Sequence, residues 1–272
     1  MAKKKSASSS TKKLKLNLIN AKGLVDFLGK FKVIDTNIII SITPEIVEVR
    51  TVTPTDSAFK VGEINFEDIF VLPEGEEMPE EIKIGIFSID RFIKVFSYID
   101  DANITLNIDY KEGSSLSSKI EVKTATLEKT FPIAGKQSFK TMTDEEVETA
   151  FNTDDAFFKI DFDKNILDKI NNLLSLETSK YFSIVYKKGV LTFVGNEFTL
   201  KYSGEIETIS EGDVEILFDK AAFKYADKED YELYGKDTGV LLFGKNSNFK
   251  TGLCAADEIL ADSKESSVEE EE

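Results

Sequence analysis

Apolar residues recur every three to four positions in only four short stretches of the chain. In the first stretch, Leu24, Leu28 and Phe31 fall on one face, and in the weakest, Phe218 and Tyr225 belong to a looser version of the pattern. This spacing matches the 3.6-residue period of an α-helix with one buried face. It predicts four short helices, at 21–32, 88–99, 163–176 and 218–226.

Most of the remaining chain is patterned as β-strand. Val47, Val49 and Thr51, for example, alternate with Glu48 and Arg50. A period of two is typical of antiparallel strands that bury one face and expose the other. The same reasoning predicts strands at 38–40, 82–86, 104–108, 120–123, 181–186, 190–194, 198–202, 214–217, 240–243 and 249–253.

The order of these elements repeats along the chain. Each half contains a strand, a helix, three or four strands, a second helix and three strands, although few residues are identical between the halves. We therefore predict two similar α+β domains. The expected divisions are a basic disordered tail at 1–13, domain one at 14–132, a polar connector at 133–154, domain two at 155–258 and an acidic disordered tail at 259–272.

The composition argues against an enzyme. The chain has no histidine and a single cysteine, Cys254, so the commonest general base and the usual zinc and iron–sulfur ligands are missing. No nucleotide-binding or nucleophile motif is present. The four acids Asp154, Asp155, Asp161 and Asp163 could in principle bind magnesium, but turn and helix N-cap roles explain them better. We expect no metal and no cofactor.

The formal net charge of −16 argues against nucleic-acid binding over the whole surface. The predicted helices depart from this background, because they carry nine basic residues against five acids. Two explanations remain open, since lysine is a common choice for the solvated face of any amphipathic helix, and four such helices could also present a weakly basic surface to DNA phosphates. The basic residues are Lys22, Lys30, Lys32, Arg91, Lys94, Lys164, Lys169, Lys220 and Lys224.

Three stretches resemble the DNA polymerase sliding clamps of the T-even bacteriophage and PCNA-like type. Residues 84–108 read IGIFSIDRFIKVFSYIDDANITLNI, similar to a strand, second helix and acidic turn of the clamp's first domain. Residues 158–167 (FKIDFDKNIL) are similar to the opening of its second domain, and residues 242–257 (LFGKNSNFKTGLCAAD) to its closing hairpin. With the repeated element order, the resemblance covers about residues 14–258.

The resemblance implies a homotrimeric ring of six similar domains, with antiparallel sheets outside and helices lining a hole for duplex DNA. It implies that the nine basic residues face the DNA and that DNA polymerase and a clamp loader are partners. Edge strands would join the subunits, with Thr126, Leu127, Thr130 and Phe131 on one side and Phe198, Leu200 and Tyr202 on the other. By position, a partner peptide would dock against Phe131, Pro132, Ile133, Leu253 and Ala255.

Other interpretations stay open at this point. A β-rich, acidic phage structural protein would also lack catalytic motifs, although it has no reason to repeat lysine-bearing helices in both halves. A non-catalytic transcription module overlaps with the clamp interpretation, because some phage clamps support late transcription. The acidic segment 73–81 fits a solvated loop or a loader contact. With one cysteine and no secretory signal pattern, we expect an intracellular protein. The resemblance to phage clamps implies that this compartment is the cytoplasm of a bacterial host.

Overall fold

The computed structural model describes residues 11–96, 98–99, 103–111, 116–131 and 139–256, which form two compact units. The first unit comprises residues up to 51 together with 63–141. The second comprises 52–62 and the residues from 142 onward. Residues 52–62, expected from the sequence to lie in domain one, thus pack with the second unit.

The first unit contains two α-helices and two antiparallel sheets. Its helices are α1 (Ala21–Gly29) and α2 (Ile89–Phe96). Its strands are β1 (Lys12–Leu18), β2 (Ile38–Ile42), β3 (Ile46–Val52), the end of β4 (Ala58–Asn65), β5 (Phe70–Val71), β6 (Ile82–Ile86), β7 (Ile104–Tyr110), β8 (Lys119–Lys123) and β9 (Glu128–Phe131). One sheet has the order β5-β1-β7-β8-β9, and β3, β2 and β6 are neighbours in the other.

The second unit repeats this arrangement. Its helices are α3 (Asp144–Ala150) and α4 (Lys164–Leu176), with a 3₁₀ turn at Ala222–Tyr225. Its strands are β10 (Phe158–Phe162), β11 (Tyr181–Lys187), β12 (Val190–Val194), β13 (Thr199–Lys201), β14 (Ile206–Thr208), β15 (Val214–Asp219), β16 (Tyr231–Lys236), β17 (Gly239–Gly244) and β18 (Phe249–Cys254). One sheet has the order β13-β12-β11-β15, and the other runs β14-β10-β16-β17-β18 and continues to β4.

The predicted α+β class and the repeated order of elements are confirmed, with local corrections. Strand β1 begins at Lys12, so Lys12 and Lys13 lie in a strand and not in the predicted tail. Five strands, not three or four, lie between α1 and α2 and again between α4 and the 3₁₀ turn at Ala222–Tyr225. Helix α2 ends at Phe96 and leaves Ile99 outside the helix that the sequence predicted to 99.

The core of each unit lies between its sheets and the apolar faces of its helices. In the first unit Leu24, Leu28 and Phe92 are buried, and a void between the helices and the sheet residues has a volume of only about 10 Å³. In the second unit Phe223 lies 5.6 Å from the ring centroid of Phe162, within an aromatic cluster. The 3.6-residue stripes seen in the sequence are therefore the buried faces of α1, α2 and α4, which leaves their polar faces available for function.

Candidate nucleic-acid interface and assembly edges

The two helices of the first unit pack side by side and expose basic side chains. Lys22, Arg91 and Lys94 are exposed, whereas Lys30 is half-buried at the C-cap of α1. Asn20 caps α1 by accepting a hydrogen bond from the Gly23 amide at 2.8 Å. The apolar faces of both helices are anchored in the core, so the exposed cations are held on one solvated helical surface.

Lys32 belongs to this group only in part. It lies in the turn after α1, and its ammonium is 2.6 Å from a carboxylate oxygen of Asp90, at the start of α2. Both side chains are about half exposed, so the pair adds little stability, about 0–1 kcal/mol. The pairing does partly neutralise Lys32 toward a polyanion.

The second unit exposes Lys164 and Lys169 on α4. Asp163 is the N-cap of this helix and accepts the amides of Asn165 and Ile166 at 2.8 and 2.9 Å, which confirms the predicted capping role. Lys228 is a further exposed cation that the helical pattern missed, because it lies in a loop 3.4 Å from Asp168 of α4.

The predicted fourth helix is wrong. Residues through Asp219 continue β15, because Phe218 is buried at a two-residue spacing from Val214 and Ile216. Only a 3₁₀ turn follows. Lys220 and Lys224 are therefore not a pair on one helix.

The two lysines also differ in their surroundings. The ammonium of Lys220 donates to the backbone carbonyl of Glu177 at 2.8 Å, whereas Lys224 is exposed, with its ammonium 5.0 Å from the ring centroid of Tyr225. Lys220 is thus engaged with the protein itself. This arrangement of exposed cations with interspersed acids suits weak contacts to phosphates that carry no sequence information.

Each unit ends one of its sheets on a short strand, β9 in the first unit and β13 in the second. In an antiparallel ladder, residues whose N–H and C=O groups face the neighbouring strand alternate with residues whose groups face away. Hydrogen bonds from Thr124 to Leu127 and from Gly195 to Phe198 set this alternation. The backbone groups that face outward therefore belong to Glu128 and Thr130 on the β9 side and to Thr199 and Lys201 on the β13 side.

The predicted interface residues fall into two groups. Thr126 and Thr130 are exposed, but only Thr130 directs its backbone groups outward, because the Thr126 amide donates to the Thr124 hydroxyl at 3.2 Å. The other predicted interface residues direct their backbone N–H and C=O groups toward their own sheet. These are Leu127, Phe131, Phe198, Leu200 and Tyr202. Phe131 and Tyr202 are also buried: the Phe131 ring lies 4.9 Å from Phe92, and the Tyr202 hydroxyl donates to the Asp161 carbonyl at 2.8 Å. Those two side chains belong to the core and not to an open surface.

The predicted peptide pocket receives little support from these positions. Leu253 is buried within β18, and the Ala255 amide donates to the Thr238 carbonyl at 2.8 Å. Phe131 is a core residue, as described above. Pro132 and Ile133 lie outside the described residues. The geometry of the described part of the chain thus leaves the site of peptide docking a prediction.

The connector contains a helix that the sequence analysis missed. Thr143 and Glu146 form a reciprocal capping box at the start of α3, and this four-residue signal was present in the sequence. After the helix, Phe151 packs inside the second unit, with its ring 5.1 Å from Phe59 of β4 and 5.9 Å from Phe243 of β17. This contact explains why a short, acidic helix is stable here.

Three of the four acids considered as magnesium ligands are engaged in ion pairs or, for Asp163, in helix capping. Asp155 lies 2.6 Å from the Lys236 ammonium, and Asp161 pairs with Lys245. Within the described ranges, acidic, cysteine and histidine side chains form no group of three or more that could hold a metal ion. In the same ranges no helix has the length and apolar character needed to cross a membrane.

No family model and no curated protein matches the sequence. The fold, however, is similar to a chain in the crystal structure of the PCNA2–PCNA3 complex from Sulfolobus tokodaii, with a TM-score of 0.58 and 15% sequence identity. The match covers 89% of this chain and 99% of that one. The two repeated α+β units with antiparallel sheets and helices therefore constitute a PCNA-like clamp fold.

Proposed function

We propose that this protein is a DNA polymerase sliding clamp, a non-enzymatic ring of three identical chains that encloses duplex DNA. The observation that carries the proposal is the pair of sheet edges, β9 and β13. Their counterparts in the internal repeat, β18 and β4, pair with each other inside one chain. The same pairing between chains would join them edge to edge.

The correspondence follows from strand order and pairing. In the first unit β1 pairs with β7, β7 with β8, and β8 with β9. In the second unit β10, β16, β17 and β18 pair in the same order. Strand β4 is the third strand after α1, and β13 is the third after α4. In the internal pair, β18 and β4 are antiparallel, with Lys250 opposite Val61. We therefore infer antiparallel pairing of β9 with β13 of a neighbouring chain.

Pairing of two different edges is a head-to-tail contact, which closes into a ring or continues as an open filament. It also removes two exposed sheet edges that would otherwise favour aggregation. Three chains with two similar units each would form the six-unit ring that the resemblance to sliding clamps implies. Such a ring would hold DNA by topology and would need only weak phosphate contacts from its helices.

The remaining parts of the proposal concern partners and setting. A polymerase bound to the ring would rebind DNA as an effectively intramolecular step, which raises processivity. A clamp loader would open the ring, and late transcription proteins are further candidate partners. The resemblance to T-even clamps favours a bacteriophage protein that acts inside a bacterial cell. The acidic exterior is compatible with DNA held only at the helical surface.

The mass of the protein in solution tests the assembly. Light scattering after size-exclusion chromatography, at several protein concentrations, should give three times the 30.5 kDa of one chain. A large open polymer would instead favour a phage structural protein. A monomer at every concentration would contradict spontaneous ring formation through β9 and β13.

Removing one outward-facing amide should break the ring. Thr199→Pro deletes an N–H that faces away from β12, so the strand keeps its own sheet but loses a donor to the neighbouring chain. We expect the trimer to dissociate to monomers, as measured by light scattering, with little change in far-UV circular dichroism. Thr199→Ala retains the amide and is the matched control. Trimers of Thr199→Pro that are as stable as those of Thr199→Ala would exclude β13 as an assembly edge.

A further inference from the structure

The side chain of Glu177, the residue after α4, is buried in a network of backbone amides. The residue is only 3% exposed. One carboxylate oxygen accepts the Glu197 amide at 3.0 Å, and the other accepts the Ser179 amide at 3.3 Å. The backbone amides of Asn196 and Thr178 also favour the charged form and help to lower the pKa of the carboxylate. A single buried side chain thus binds both its own turn and a turn 20 residues further along the chain.

Two features oppose a carboxylate at this position. Burial penalises the charged form, and the C-terminal end of a helix repels negative charge. The backbone amides, led by that of Glu197, outweigh burial and hold the pKa of Glu177 below its usual range, so it stays ionised at neutral pH. The Lys220 ammonium binds the Glu177 carbonyl at 2.8 Å and adds positive charge at the same helix end.

The turn held by Glu177 leads directly into β13. This two-residue turn joins β12 to β13 and is closed by the hydrogen bond from Gly195 to Phe198 at 2.9 Å. A Cβ atom at Gly195 would clash with a Glu177 carboxylate oxygen and with the Phe198 ring, so glycine permits this close approach. A second link runs from the Thr178 hydroxyl to the Glu197 carboxylate at 2.8 Å.

We propose that Glu177 is a positioning residue for assembly, because it fixes the start of edge strand β13 against the end of α4. By binding the Glu197 amide, it also occupies a donor in the turn that precedes the strand. The outward-facing donors of β13 itself are then those of Thr199 and Lys201, so Glu177 determines where pairing with β9 of a neighbouring chain begins. This inference rests on the proposed assembly through β13.

The test compares two substitutions that each replace a carboxylate which accepts a backbone amide in a turn of the same sheet; the Glu177 carboxylate is buried and that of Asp213 is exposed. Glu177→Gln keeps the shape of the side chain but replaces one acceptor oxygen with an amino group that cannot accept an N–H. Asp213→Asn is the matched control, since the Asp213 carboxylate accepts the Lys188 amide at 2.9 Å in the β11–β12 turn of the same sheet. That turn is not part of the β13 edge.

We expect Glu177→Gln to raise the protein concentration at which half of the rings dissociate by about tenfold, the effect of losing one charge-assisted hydrogen bond. Asp213→Asn should leave that concentration unchanged. Light scattering over a dilution series gives the concentration, and hydrogen exchange on diluted monomers should show faster exchange of the Glu197 amide in the Glu177 variant.

Three results would overturn this inference. If the Glu177→Gln ring dissociates at the same protein concentration as the wild type, assembly does not depend on the contact between Glu177 and the β12–β13 turn. Equal weakening by both variants would indicate general loss of stability and not positioning. A wild-type protein that stays monomeric at every concentration would remove the proposed assembly itself, and light scattering of the unsubstituted chain detects this outcome separately.

Discussion

Asp227→Ala should lower the stability of the second unit by about 3–5 kcal/mol, the cost of breaking a buried ion pair from one side. The Lys60 ammonium lies 3.2 Å from an Asp227 carboxylate oxygen, and the Lys60 side chain is completely buried within β4. Removing Asp227 would take this carboxylate away from an ammonium that stays buried in the core. Urea unfolding, performed where the protein is monomeric, measures the change without a contribution from assembly.

Lys60 is more deeply buried than Asp227, and this difference supplies a control for the predicted loss of stability. Asp227 is 17% exposed, so water can reach its carboxylate when the ammonium is replaced. Lys60→Met should therefore destabilise the unit less than Asp227→Ala, and the double variant should be closer to the wild type than Asp227→Ala alone. Equal losses for both single variants, with additive effects in the double variant, would show that the two groups do not interact.

Reversing the exposed charges of the helical surface should abolish most clamp-dependent DNA synthesis while the trimer stays intact. Each cation that contacts a phosphate contributes about one unit to the dependence of log affinity on log salt, so six reversals remove most of the attraction. We expect at least about a tenfold loss of processivity in a primer-extension assay. The set comprises Lys22, Arg91, Lys94, Lys164, Lys169 and Lys224, each changed to glutamate.

The choice of residues and the control both follow from the structure. Lys220 is left unchanged because its ammonium binds the Glu177 carbonyl, and its loss would disturb the end of α4. Six exposed lysines outside the helical segments, reversed together, change the net charge equally. These are Lys15, Lys83, Lys111, Lys123, Lys187 and Lys188. Full processivity of the helix variant, or equal loss in the control, would refute the proposed DNA-facing surface.

Local patterns in the sequence determined much of the secondary structure. The stripe of Leu24 and Leu28 predicted α1, and the position of Asp163 predicted its role as the N-cap of α4. These features depend on residues within one or two turns of each other, so they can be read without knowing the fold. The lack of histidine narrows the candidate chemistry through composition alone, because it removes the commonest general base and metal ligand.

Errors arose where a local pattern fitted two structures. Phe218 and Tyr225 fitted a loose helical stripe, but Phe218 instead completes β15 because it pairs with Phe182 of β11. The same pattern suggested a basic pair on one helix, whereas Lys220 directly follows the strand and Lys224 lies in the 3₁₀ turn. Conversely, the capping box that begins α3 was a usable local signal, overlooked within a polar connector.

Other features depend on contacts between residues far apart in the chain, and only the tertiary structure decided them. Lys60 is adjacent to no acid in sequence, yet it pairs with Asp227, 167 residues away, because β4 joins β18 in the second unit. In the sequence nothing distinguishes Glu177 from an exposed glutamate, because its partner, the amide of Glu197 in the β12–β13 turn, is 20 residues away. Periodicity reports which face of an element is buried, but it carries no information on which distant element covers that face.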